Sequence, residues 1–462
     1  MKKTLPLLFF LLGLSTMFGQ NYYMSAPEGF GAAATGGGTP TVSNTVTVTT
    51  YEQLETALNS KTVANSVILV SGTINCQYTS VSLTNKTIIG LPGARLINTQ
   101  LAENVDPDVK PTRWDLSGIL YIKSGSNNVI IRNLVFEGPG AYDVDGRDLL
   151  TSEGNNIWVD HCEFQDGMDG NFDIKGKADN TTVSWCKFTY TKPAIQGGFG
   201  GSQNHSFTNL VGSGVADAPT TDGRFSVTFK NCYWADGCKE RMPRARNAEL
   251  HILNCYYKTS TASAKAIGLG AGNNGSTCYV ENSNFEQIAN ISSPVTEGTG
   301  TAALFFDNCI KGSTSTAVTG LNYGTTPSKP SYVYTTLSTA DVAKYVANTS
   351  CGAGATLQVT ADGVISTGCP NTLGLNDNVA NLEIKYYPTV IDNVLNIEFS
   401  SIESGKAIIE IYSPNGSKVY TTSKNISGNE KLELNIANIT RGVYICKVQI
   451  ENRVKTFKIL KG

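Results

Sequence analysis

The alternation of apolar and polar residues along the middle of the chain predicts short β-strands in a repeating order. Six segments end alike: IIRNLVF at Phe136, VDHCEF at Phe164, VSWCKF at Phe188, TFKNCYW at Trp234, ILNCYY at Tyr257 and VENSNF at Phe285. Their aromatic ends are separated by 28, 24, 46, 23 and 28 residues, and 46 reads as two turns of 23. Units of this length with period-2 alternation and β-branched residues indicate a parallel β-solenoid. Helix-pair repeats would show a 3.6 period, and a propeller blade needs about 40 residues. The expected architecture is all-β: a three-sided right-handed parallel β-helix.

Other patterns frame this repeat. Thr49 and Glu52 are spaced as a capping box before Leu54, Ala57 and Leu58, which predicts a short helix plugging the open end of the core. Val67 to Ile74 and Val81 to Gly90 read as the first strands. Ser338 to Ala347 predicts a second short helix, closing the solenoid region. A Gly/Thr/Asn-rich linker is expected at 356–383, after a β-helix domain over 21–355. Residues 384–462 alternate in short runs (394–399, 407–413, 431–436, 442–450, 453–460) with a turn signal at Pro414-Asn-Gly416, which predicts a small β-sandwich.

Composition narrows the class. The 462 residues carry 46 glycines and a net charge of only -2, which argues against nucleic acid as a partner. Lys2 and Lys3 precede an apolar run from Leu5 to Phe18, read as an export signal over 1–20 and too short to span a bilayer. No other stretch reaches spanning length, so an exported, soluble protein is expected. Among eleven cysteines, Cys162 and Cys186 are 24 apart, and Cys232, Cys255 and Cys278 are 23 apart. These are expected to share one slot of successive coils as packed thiols, while Cys351 and Cys369 are the better disulfide candidates. No CxxC pair is present, so zinc is not expected.

The chemistry centres on Trp158 to Lys175, WVDHCEFQDGMDGNFDIK. On a strand, Asp169, Asn171, Asp173 and Lys175 share one face. Two carboxylates about 5 Å apart repel by roughly 3 kcal/mol at an effective dielectric near 20, so a cation must offset them. Asp148 lies 16 residues before Phe164 and Asp173 lies 15 before Phe188. In register, Asp148 stands one coil, about 4.8 Å, from the Asp169/Asp173 pair. Three carboxylates make a hard-oxygen site suited to Ca²⁺. Arg241, Arg244 and Arg246 follow two or three coils on, with Pro243 expected to bend Arg241 round to the face of the other two. Such arginines suit a polyanion with repeated carboxylates. Of the three histidines, His161 and His251 lie inside strand repeats and are expected in the core or its stacks.

The motifs WVDHCEF, DGNFDIK, VSWCKF and RMPRAR, with Glu28-Gly-Phe-Gly-Ala, Asn85-Lys-Thr-Ile-Ile-Gly and Val129-Ile-Ile-Arg-Asn-Leu, resemble the pectate lyases of the right-handed β-helix superfamily over roughly 28–355. The resemblance implies secreted, Ca²⁺-dependent β-elimination of polygalacturonate. It assigns Asp148, Asp169 and Asp173 to calcium, Arg241 to the base that takes the C5 proton, and Lys175, Lys192 and Arg246 to the substrate; Arg244, from the arginine cluster, is expected to bind substrate beside them. Pectin lyases, which act on methylated polymer, lack such a calcium site. A β-helix glycosidase using paired carboxylates and a non-catalytic polysaccharide-binding solenoid are the competing classes. Tyr387-Pro388, Val394 to Ile397, Ile411 to Gly416 and Gly442 to Ile445 resemble the sorting domain of type IX-secreted Bacteroidetes proteins. It implies delivery to the cell surface or medium by that machinery, and a monomer is expected.

Overall fold

The structure is a computed structural model that describes residues 22–102, 113, 116–366, 369, 384–388, 390–399, 405–413, 417–427, 429–450 and 453–462. The expected export signal, most of 367–383 and the 414–416 turn lie outside them. The chain divides into two compact units, 1–370 and 371–462.

The first unit is a parallel β-helix. Among the described residues, three sheets of ten, eight and ten strands run along it, the strands pairing with their counterparts one coil away except for Thr316–Ala317, which folds back antiparallel on Ile310–Lys311. The six aromatic ends fall into one column: Phe136, Phe164, Phe188, Trp234, Tyr257 and Phe285 are successive partners in register. Their rings stack with centroids 4.4–5.5 Å apart, close to the strand spacing that imposes the contact. Just before each aromatic strand the chain turns through one residue with left-handed backbone: Asn133, His161, Trp185, Asn231, Asn254 and Asn282, with φ of 46–59°, and Asn308 repeats this before the next strand, Ile310–Lys311. Asparagine tolerates this conformation better than most residues, which explains its recurrence in the repeat.

Two expectations about the coils need correcting. The 46 residues from Phe188 to Trp234 form one coil, because Lys187–Thr189 pairs directly with Tyr233–Trp234. The surplus residues loop outward on either side of the short strand Leu210–Val211. Cys278 does not continue the cysteine slot either. It lies within Ser276–Glu281, opposite Leu250 and Leu304, because the coil after Tyr257 has 28 residues and shifts the count. Ser283 takes the slot beside Cys255, and Cys309 donates from the coil after it. The slot's thiols are free, buried, and donate to backbone carbonyls of the preceding coil. Cys351 and Cys369 form a disulfide.

The helix α1 (Tyr51–Asn59) places Leu54, Ala57 and Leu58 in the solenoid core beside the first coil. Its cap is Thr50, one residue later than expected. Thr50 accepts from Gln53 N, and Gln53 returns a bond to Thr49 N at 2.8 Å. The second helix, α2 (Thr339–Val346), does not close the far end. It lies along the coils, with Val342 and Val346 packed in a cluster with Trp158, Trp185 and Tyr256. Leu321 and Tyr323 pack against the last coils instead. The expected linker also begins later, since Leu357 and Val359 are buried against Val67, Leu69 and Ile89.

A buried ionic network ties three coils together. Asp160 is fully buried and accepts from Arg132 Nε at 2.9 Å and Ser184 Oγ at 2.6 Å, with His161 Nδ1 at 2.9 Å. Burial opposes its charge, but His161 and Arg132 outweigh it and hold the carboxyl down at about 2. Asp160→Asn leaves Arg132 buried without its counter-charge, so unfolding free energy should fall by about 3–5 kcal/mol. Urea denaturation at neutral pH measures this. Because the folded pKa is depressed, the wild-type advantage is complete above the unfolded value near 4 and should vanish as pH falls through about 2.

The second unit holds two sheets around one core, antiparallel except where the short strand Val390–Ile391 runs parallel to Arg453–Lys461. Ile384–Tyr387, Val394–Phe399 and Lys431–Asn435 form one. Gly405–Tyr412, Lys418–Ile426, Gly442–Ile450 and Arg453–Lys461 form most of the other. Leu395, Ile397, Ile409, Cys446 and Val448 fill the space between. The strand Lys418–Ile426 was not among those the alternation predicts. Its side chains are mostly exposed polar residues, with only Ile426 buried.

Candidate active site

The eight-stranded sheet carries the predicted chemistry. Leu150–Ser152, Phe172–Ile174, Leu210–Val211, Arg244–Ala245 and Lys265–Leu269 are successive neighbours in it. Phe172 and Ile174 join the core, which turns Asp173 outward between them. Thr151 lies opposite Asp173, and Leu210 opposite Arg244, so Asp173 and Arg244 stand two coils apart. The four-residue polar face is only half formed. The strand begins at Phe172, and Asn171 is fully buried in the preceding turn, bonding to Gly167 N and Phe164 O. Asp169 reaches the cluster from that turn rather than from a strand.

Asp148 and Asp173 are 4% and 5% exposed, too buried for a solvated acidic face. Thr151 Oγ1 donates to Asp148 at 2.8 Å, and Leu210 N to Asp173 at 3.0 Å. Burial raises the pKa of both carboxyls. Asp169 adds repulsion at Asp148, and Asp148 adds it at Asp173. Lys175 Nζ, 3.8 Å from Asp148, is the cation among them. Burial pulls its pKa down, but Asp148 and Asp173 more than compensate and raise it. Gly170 is required by close packing, since a Cβ there would lie 2.6 Å from Asp148 Oδ1.

His205 is a member that motif reading did not single out. Its buried ring puts Nδ1 3.2 Å from Asp143 and Nε2 3.3 Å from Asp169, an ionic contact without hydrogen-bond geometry. Burial opposes its protonation, but the two carboxylates prevail and push it up to about 9. Asp143 is lowered in turn, chiefly by His205. Neither residue sits in a strand of the repeat, so neither has a register visible in the spacing. His161 and His251 are buried, as expected of stack residues.

The three arginines separate into two kinds. Arg244 and Arg246 share a face and both pair with Glu297 from a later coil, Arg244 at 3.3 Å. Burial first, and Arg246 second, lower the pKa of Arg244. Arg241 has left-handed backbone at φ 61°, and among the described residues it has no ion pair. Its charge is nevertheless felt by Asp148, Asp173 and Asp143, which places it on the acidic side of the site. Lys192 is not drawn into the cluster. Its Nζ lies 3.1 Å from Glu137 and 2.6 Å from the Gly138 carbonyl. Among the described residues no three His, Cys, Asp or Glu side chains stand together so as to hold a metal ion.

Together these features define a parallel β-helix protein with buried acids beside one sheet and, near them, an arginine without an ion pair among the described residues. Residues 11–356 match the family model described as pectate lyase, and residues 385–461 that of a secretion system C-terminal sorting domain. The chain belongs to the pectate lyase family. A pectate trisaccharide-lyase of Thermotoga maritima is 32% identical over 221 residues, 46% of this chain and 50% of that protein. One from Bacillus licheniformis is 31% identical over 268 residues, 55% and 67% of the two chains. The chain thus spans about half the length of the first of these relatives. A Bacillus subtilis pectate lyase mutant superposes with a TM-score of 0.53 at 20% identity, over 72% of this chain and 97% of that one. A pectate lyase from a Paenibacillus species gives 0.52 at 17%, over 73% and 97%. These structures confirm the fold. The sorting domain marks the protein for secretion or the cell surface, and among the described residues no helix is long and apolar enough to cross a membrane.

Proposed function

We propose that the protein is an exported pectate lyase that cleaves α-1,4-polygalacturonate by β-elimination. The carrying observation is that the buried acids Asp148 and Asp173 feel the charge of Arg241, which among the described residues has no ion pair. Calcium fits the donor set: the oxygens of Asp148, Asp169 and Asp173 are hard ligands, and two of these carboxyls are pushed toward protonation by burial and mutual repulsion. Bound there, Ca²⁺ would neutralise a uronate carboxylate and stabilise charge developing beside it.

Lys175, Arg244 and Arg246 would orient the uronate, the arginines exchanging Glu297 for substrate carboxylate. Lys192 would likewise have to exchange Glu137. Arg241, in the role the family assigns it, takes the C5 proton as the neutral guanidine, having first released a proton of its own. The electron pair left at C5 forms the C4–C5 double bond as the C4–O bond breaks, and the departing oxygen is protonated. The second unit would engage a type IX secretion machinery. The retained acids favour pectate over methylated pectin, which needs no such cation.

The test incubates purified protein with polygalacturonate or highly methylated pectin, with Ca²⁺ or chelator. Ultraviolet absorbance of the unsaturated product should rise on polygalacturonate with Ca²⁺ and stay flat with chelator. New reducing ends without absorbance would mean hydrolysis, and binding without cleavage would leave a non-catalytic solenoid.

A further inference from the structure

We infer that Phe207 is a positioning residue for Arg241, holding the guanidinium by its ring where a carboxylate would ordinarily serve. The Arg241 Cζ lies 4.6 Å from the centroid of the Phe207 ring, within cation–π range. Two backbone ties set this distance. Phe207 and Glu240 form a parallel bridge, and the Arg241 carbonyl accepts from Thr208 Oγ1 and, at 2.7 Å, from Asn209 N. The residue carrying the ring and the residue carrying the guanidinium are thus locked together across adjacent coils.

The neighbouring arginines show the alternative. Arg244 and Arg246 are both held by Glu297, whereas Arg241 has no ion pair among the described residues; its Nε, like that of Arg244, is buried with no hydrogen-bond partner. A carboxylate there would occupy the N–H edge and favour the charged guanidinium. An aromatic ring holds the group from its face, adds no formal charge and leaves the terminal nitrogens unoccupied by a carboxylate. The opposite edge of the arrangement is also fixed: the His205 ring lies 4.1 Å from Phe207 by centroids and contacts Asp143 and Asp169. Phe207 therefore spans from the acid cluster to Arg241. Nothing in the motif RMPRAR points to it, because it arrives from the long coil before.

The inference rests on the proposed role of Arg241, so the test must separate the two. Phe207→Leu keeps an apolar side chain without a ring face; Phe207→Tyr keeps the ring. With the full chain, polygalacturonate and saturating Ca²⁺, Phe207→Leu should lower kcat about tenfold, the scale of losing one desolvated cation–π contact. KM and the Ca²⁺ concentration for half activity should stay near wild type, and Phe207→Tyr should restore kcat. If Phe207→Leu folds poorly, Phe207→Met, whose unbranched chain adapts better to the space the ring leaves, serves the same comparison. Full kcat in the leucine or methionine variant, with Arg241→Ala inactive, overturns the inference and leaves the base assignment standing. Equal losses in both ring-free and tyrosine variants, tracking a lowered Tm, reduce Phe207 to packing. An active Arg241→Ala removes the base assignment and this inference together.

Discussion

Arg241→Ala is expected to lower kcat on polygalacturonate by about 10²–10⁴-fold, the range associated with a positioned general base. KM should change little, because Lys175, Arg244 and Arg246 remain to meet the uronate. The fold should survive: Arg241 contributes a ring contact and backbone bonds, and no ion pair among the described residues breaks with it. Arg241→Lys should recover little, since a point charge on a flexible stem does not reproduce a planar guanidinium. Initial rates from ultraviolet absorbance, beside a urea denaturation curve for each variant, measure both effects. An alanine variant within twofold of wild type would show that the proton leaves by another route.

Asp173→Asn is expected to act in opposite directions on calcium and on stability. It removes one of three anionic donors, so the Ca²⁺ concentration for half activity should rise by at least about 100-fold. Without calcium, the same change relieves a buried charge that Asp148 and Asp169 repel. The chelated variant should then be more stable than chelated wild type, by about 1–3 kcal/mol. The amide can still accept from Leu210 N, whose bond to Asp173 is 3.0 Å, so no hydrogen bond is lost. Thermal denaturation with and without Ca²⁺ reads both signs. A chelated variant less stable than wild type would mean that Lys175, rather than a bound cation, already balances the acids.

What could be read from the chain was whatever the coil repeats. The aromatic column, the free thiols and the Asp148–Asp173 proximity all follow from counting back from one aromatic to the next, because each strand fixes its neighbour's register. Counting fails where a coil length departs from its neighbours. It split the Phe188–Trp234 coil into two and misplaced Cys278 by five residues from Ser283. It also fails for side chains that leave the sheets. Lys192 turns to Glu137, and His205 bridges Asp143 and Asp169, through loops that carry no period. Glu297 meets Arg244 and Arg246 from a later coil, and no local motif marks it. The helix α2 shows the same limit, since a stripe of Val342 and Val346 specifies that it packs and leaves open against what.

The Phe188–Trp234 coil holds 46 residues, yet its two rings stack 5.5 Å apart, as they do across coils of half that length. The scaffold is therefore blind to how much chain leaves and re-enters between strands. Each doubling of such a loop costs only about 0.6 kcal/mol in closure entropy, while the column loses nothing. The rim beside Asp143 and Arg241 can be lengthened, shortened or exchanged between relatives as a self-contained graft, so new polymer preferences can arise without renegotiating the core beneath.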